Sequence, residues 1–121
     1  MKTKSVIFML LVTLILMGCG QEHKAKEVVD TFLDSNLVDK DYSIENFSKL
    51  DSTFYVTDTM IYRMRKNIAD VGIYKHIKYV EREQPMKLFF IHVKFKVKGD
   101  SYEQTFYLNP QLQNVVSLKN D

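Results

Sequence analysis

Few side chains in this sequence have the type and spacing for chemistry. Three histidines, His23, His76 and His92, are the metal-ligand candidates. They fall in three separate segments with no His-x-x-x-His spacing, no neighbouring cysteine and no paired acid, so exposed imidazoles are expected and no metal or other cofactor. No Gly-x-Ser-x-Gly nucleophile elbow is present. Tyr102 and Gln104 stand two apart on one strand pattern and therefore share a face. A phenol beside a carboxamide can orient a ligand carbonyl, with Phe95 and Phe106 as apolar walls, so these four form the candidate ligand site. Plain packing is the competing reading. No titratable acid is expected among them to act as a general base, so no catalytic residue is assigned.

The remaining candidate is Cys19, the single thiol of the chain. Lys2 and Lys4 precede an apolar run from Val6 to Met17, interrupted only by Thr13, and Gly18, Cys19 and Gly20 come next. A spanning helix needs roughly 20 apolar residues, so this run is too short to cross and has the anatomy of a secretory signal. Leu16-Met17-Gly18-Cys19 resembles the bacterial lipobox, in which cleavage before the cysteine is followed by its acylation. That resemblance implies a signal peptide over residues 1–18, a lipidated tether over 19–24, and membrane attachment through a palmitate-type lipid on Cys19. It also implies the bacterial cell envelope, and the outer membrane if the host has two, since Gly20 is not the aspartate that signals inner-membrane retention.

Beyond Cys19 the chain runs for roughly 100 residues, the size of one domain. With a single cysteine, no disulfide forms within the chain. The formal charge of +2 rests on Lys2 and Lys4, and the rest is neutral, which disfavours a nucleic-acid partner. The charge is nonetheless split. Residues 19–62 carry 4 basic and 9 acidic side chains, and 63–121 carry 11 and 6. Acidic helices against a basic sheet would account for this.

Periodicity outlines the elements. Ala25, Val28, Val29, Phe32, Leu33 and Leu37 recur in steps of three and four, predicting a helix over about 22–37. Ser43 is expected to cap a second helix burying Ile44, Phe47 and Leu50. Thr57 or Asp58 caps a third, with Met60, Ile61, Met64 and Ile68 inward and Arg63, Arg65 and Lys66 outward. Gly72 stops it. From Lys87 to Lys98 the period becomes two, with Phe89, Ile91, Val93, Phe95 and Val97 on one face and Phe90, His92, Lys94, Lys96 and Lys98 on the other. Gly99-Asp100 reads as a type II′ turn, pairing Lys98 with Ser101 and hence Phe95 with Gln104 and Val93 with Phe106. Ile73–Arg82 is expected as a further strand, with Tyr74, His76, Lys78 and Val80 on one face and Ile73, Ile77 and Tyr79 on the other, joined to the hairpin through Glu83–Met86, and Val115, Val116 and Leu118 as the last one. The lysine stripe, with Lys75 and Lys78, reads as a wet sheet face, with anionic headgroups as the alternative.

Helices leading into an antiparallel meander define an α+β domain over 25–121. The order from Ala25-Lys26-Glu27-Val28-Val29-Asp30-Thr31-Phe32-Leu33 to the terminal hairpin resembles the cystatin-like, nuclear transport factor 2-like superfamily. That resemblance implies N-terminal helices packed on a curved antiparallel sheet, a cone with a pocket. The function expected is a non-enzymatic, lipid-anchored envelope protein that binds a small apolar ligand or a protein partner. An isomerase- or dehydratase-like enzyme and a structural accessory subunit of an envelope complex are the alternatives.

Overall fold

A long helix facing a sheet needs one apolar stripe, and the chain supplies it at once. In the computed structural model, which describes residues 20–82 and 87–121, α1 (residues 20–36) directs Ala25, Val29 and Leu33 into the core, and Leu37 stands at its end; all four are fully buried. The helix includes residues 20–24, expected to be a tether. Cys19 and the segment before it lie outside the described residues, as does the connector Glu83–Met86.

Five antiparallel strands form one sheet: β1 (Tyr42–Phe47), β2 (Asp51–Thr53), β3 (Leu88–Val97), β4 (Asp100–Leu108) and β5 (Val115–Asn120). The order is β1-β3-β4-β5, with β2 continuing the β1 edge along the first residues of β3. A second helix, α2 (Asp58–Ala69), comes after β2. The coarse class expected, α+β, is therefore the class observed.

Residues 43–47 are a strand and not the expected helix. Ile44 lies opposite Phe95 and Phe47 opposite Val93, with a bulge between Ile44 and Asn46. The bulge sets Glu45 and Asn46 together against Lys94, so two core-facing residues stand three apart in sequence, a spacing that mimics a helix. The ten-residue β3 also needs a partner along this edge, which a short helix would not supply.

The β3–β4 hairpin departs from the expected register. Phe95 pairs with Tyr102, Val93 with Gln104 and Ile91 with Phe106. Lys98 and Gly99 form the turn, both at positive φ (51° and 83°), which is type I′ rather than II′. The slip moves each partner by two, so every side chain keeps its face and the apolar pattern fits both registers equally. The choice is made outside the hairpin. The Lys98 N–H donates to the Asp41 carbonyl (2.9 Å) and its ammonium meets the Asp39 carboxylate (2.8 Å). Lys98 and the Asp41 N–H hold the Asp39 carboxyl below its usual range, and the same pairing raises Lys98. Gly99→Ala meets no atom within 4 Å. It is nevertheless expected to cost about 1–2 kcal/mol in a urea titration, because the left-handed backbone alone opposes a Cβ.

Thr57 caps α2, its hydroxyl accepting from the Met60 N–H at 3.2 Å, and Gly72 stands just past the helix at φ 81°. Ile61 joins a small outer cluster with Val56, Leu88 and Val116, whereas Ile68 joins the main core. α2 thus crosses the free edge of β5, and the helix expected to bury one stripe divides it between two faces. Met60, expected inward, is 44% exposed. Arg65, expected outward, reaches the sheet: its Nε and Nη2 donate to the Val116 carbonyl at 3.0 and 2.9 Å. Residues 73–82 are an extended strap and not a strand. One bridge joins Leu37 and Tyr74, and Val38 N–H to Ile73 C=O and Lys75 N–H to Asn36 C=O tie it to the end of α1.

Candidate functional site

Phe95, Tyr102, Gln104 and Phe106 do share the inner sheet face. Phe95 and Tyr102 stack with ring centroids 5.8 Å apart, and Phe95, Gln104 and Phe106 are fully buried. Phe106 meets the edge of Phe32 from α1, again at 5.8 Å. A buried carboxamide is costly unless both its ends find partners. Here the Tyr74 hydroxyl donates to Gln104 Oε1, and Gln104 Nε2 donates to Asn120 Oδ1 at 3.2 Å. The Gln104 carboxamide, expected to orient a ligand, is thus engaged within the protein. Tyr74, placed by its alternation with His76, turns instead toward this core.

A groove lies elsewhere, between α2 and the strap, with a volume of about 620 Å³. Its covered side is formed by Ile68, Tyr74, Ile77 and Tyr79. Around them stand Tyr62 and the basic Arg65, Lys66 and Lys75, with His76. Arg65 organises it. Its guanidinium lies over the Tyr79 ring at 4.5 Å, pairs with Glu81 at 2.9 Å, and donates to the Val80 carbonyl at 3.3 Å. Burial pushes the Tyr79 hydroxyl up to about 12, against the lowering effect of Arg65, and pushes Tyr74 well above the usual phenol range. Both remain protonated donors at neutral pH. The Tyr79 hydroxyl is buried and finds no protein partner among the described residues.

Individual parts of this groove are visible in the sequence, but their convergence is not. By pattern Arg65 and Lys66 belong to a solvated helix face, and Ile77 and Tyr79 to one side of a strand. A strap turning back along a helix brings them together, and no local period encodes that.

The histidines stay apart. His23 pairs with Glu27 one helical turn on (3.0 Å), His76 rims the groove, and His92 meets Asp121 at 2.7 Å on the outer face. The described residues hold no group of three metal-type ligands. Beside His92, Thr105 donates its hydroxyl to the same carboxylate at 2.8 Å. In a hydrolytic triad the imidazole stands between hydroxyl and carboxylate and takes the hydroxyl proton. Here the carboxylate receives both groups, so the arrangement holds the end of β5 against β3 and β4. Two lysines of the stripe are also engaged, Lys96 with Glu45 at 3.2 Å and Lys98 with Asp39 at 2.8 Å. No described helix is long and apolar enough to cross a membrane. Neither family models nor curated proteins nor solved structures provide a match to the chain.

Proposed function

We propose that this chain is a non-enzymatic, lipid-anchored bacterial envelope protein, acylated at Cys19, that binds a small ligand with an apolar body and an acidic group. The groove between α2 and the strap carries the reading. About 620 Å³ lies in the range of small-molecule sites. Its isoleucines and tyrosines suit a hydrocarbon or aromatic body, and Lys66 and Lys75 on its rim suit a carboxylate or phosphate. The two buried phenols favour binding over acid–base chemistry, since burial drives them away from the pKa range where proton transfer is efficient. The lipobox-like Leu16-Met17-Gly18-Cys19 supports the anchor and the envelope location, in the outer membrane of a two-membrane host. One helix covering the inner face of an antiparallel sheet is in keeping with a cystatin-like cone.

Dodecanoate below its micellar concentration is a suitable probe, with calorimetric titration as the readout. Saturable binding is expected, weakened at least about tenfold by Ile77→Glu, a loss of roughly 1.4 kcal/mol. A second titration with neutral dodecanol separates the basic rim from the apolar side. Lys66→Ala with Lys75→Ala should weaken the carboxylate and leave the alcohol unchanged. Dodecanoate binding that is indifferent to Ile77→Glu would overturn the groove as the site.

A protein partner is the second reading, and one observation favours it. Among the described residues, the backbone of residues 76–79 makes no hydrogen bond. Unpaired extended backbone accepts an added strand.

A further inference from the structure

Phe54 and Tyr55 are 73% and 86% exposed, adjacent aromatic side chains in the loop between β2 and α2. They are held outward by a fixed backbone. Tyr55 N–H donates to Thr53 Oγ1 at 3.1 Å, Thr53 pairs with Leu88, and the next residue, Val56, is buried against Leu88 and Ile61. Thr57 then caps α2. With the backbone already held, contact with a surface has only the rotamer freedom of the two rings left to restrict.

Their place in the fold names that surface. The described helix α1 starts at Gly20, the residue after Cys19. Its first turn lies beside β2, for Gln21 and Glu22 line one shallow pocket with Leu50, Asp51, Ser52 and Phe89. From there the chain leads away and returns. α1 ends beside the strap at Tyr74, Asp41 meets the hairpin turn at Lys98, and β1 and β2 run back along β3 to Leu88. Phe54 and Tyr55 therefore emerge at the end of the domain where an acyl chain on Cys19 would enter the bilayer. β3, ten residues long, separates this end from the hairpin turn by about 30 Å.

We infer that Phe54 and Tyr55 insert into the membrane interface and fix the orientation of the domain on the bilayer. Aromatic rings suit this layer because they bury apolar surface while the phenol stays hydrated. Attraction to anionic headgroups is not the driving force. Arg82 near this loop is engaged by Asp58 at 2.8 Å and by the Val56 carbonyl at 2.7 Å, and the neighbouring charges are mixed, Glu22 and Asp51 against Lys49 and Lys87, with no basic cluster among the described residues. The paired Lys96 and Lys98 lie toward the opposite end. Neutral phosphatidylcholine is thus sufficient, and salt has little effect.

This inference rests on acylation of Cys19, so the test reads both. The chain contains no tryptophan, which makes Phe54→Trp, Tyr55→Trp and Val38→Trp single-indole reporters. Val38, 62% exposed, lies just past α1 at the far end. Each full-length variant is produced in a bacterium that processes lipoproteins, checked by intact mass, and placed in phosphatidylcholine nanodiscs with or without brominated acyl chains. Phe54→Trp and Tyr55→Trp are expected to emit at shorter wavelength and to lose most of their fluorescence to the bromines, at low and high salt alike. Val38→Trp should emit as in water and stay unquenched. Acylated protein in which all three indoles behave alike, or whose quenching needs anionic lipid or low salt, overturns the inference and leaves the anchor standing. A mass without the acyl modification overturns the anchor and the inference together. All three positions are exposed, so the substitutions leave the core untouched.

Discussion

Phe106→Ala is expected to lower stability by about 3–5 kcal/mol, the range for emptying a fully buried aromatic site. Phe106 lies two residues before the end of β4, paired with Ile91 on one side and Leu118 on the other, and its ring meets Phe32 from α1. The void would open in the middle of the core, where sheet strands on both sides limit collapse. For a domain of roughly 100 residues, each kcal/mol corresponds to about 4–8 °C, so melting should fall by at least about 12 °C. Phe54→Ala, which empties only exposed space, should stay within roughly 0.5 kcal/mol. The pair also decides what the Phe95, Tyr102, Gln104 and Phe106 cluster is. A thermal shift under about 4 °C at Phe106 would show that the ring lines open space rather than filling the core.

Arg65→Ala is expected to cost about 2–3 kcal/mol, most of it from lost hydrogen bonds. The exposed ion pair with Glu81 contributes little of this, since solvent screens it. The larger part is the loss of two charge-assisted donors to the Val116 carbonyl, which sits on the outer edge of β5, and of the packing over Tyr79. Uncapping that edge also exposes it to another chain, so sedimentation should show more self-association in the variant. Arg65→Lys should recover less than half of the loss, because an ammonium cannot present the planar fork that reaches the carbonyl and covers the ring together. Full recovery by lysine in urea titrations would show that charge alone matters at this position.

These two residues mark how far sequence reasoning reaches. Phe106 is readable because β3 and β4 alternate strictly, and strict alternation assigns a face whatever the register. Arg65 is not readable. On a helix wheel it belongs to the polar side, and its use against a sheet edge depends on α2 crossing β5, which no neighbouring residue specifies. The same reason explains residues 43–50. Ile44, Phe47 and Leu50 fit a helix by count, and only the bulge opposite Lys94 shows why a strand has that spacing. In the strap, Ile77 and Tyr79 turn inward as the alternation implies, but Tyr74 crosses to Gln104 once its neighbours bond to the end of α1.

The amino-acid sequence by itself determined the α1 stripe, the faces of β3 and β4, the Thr57 cap and the α+β class, because each arises from a period or a cap within a few residues. Tertiary structure alone decided the hairpin register, the strand at 42–47 and the groove between α2 and the strap. Those depend on contacts between distant segments: Asp41 with Lys98, Phe47 with Val93, Arg65 with Val116. Local patterns are satisfied equally by several such pairings, and only the closing of the whole core selects one.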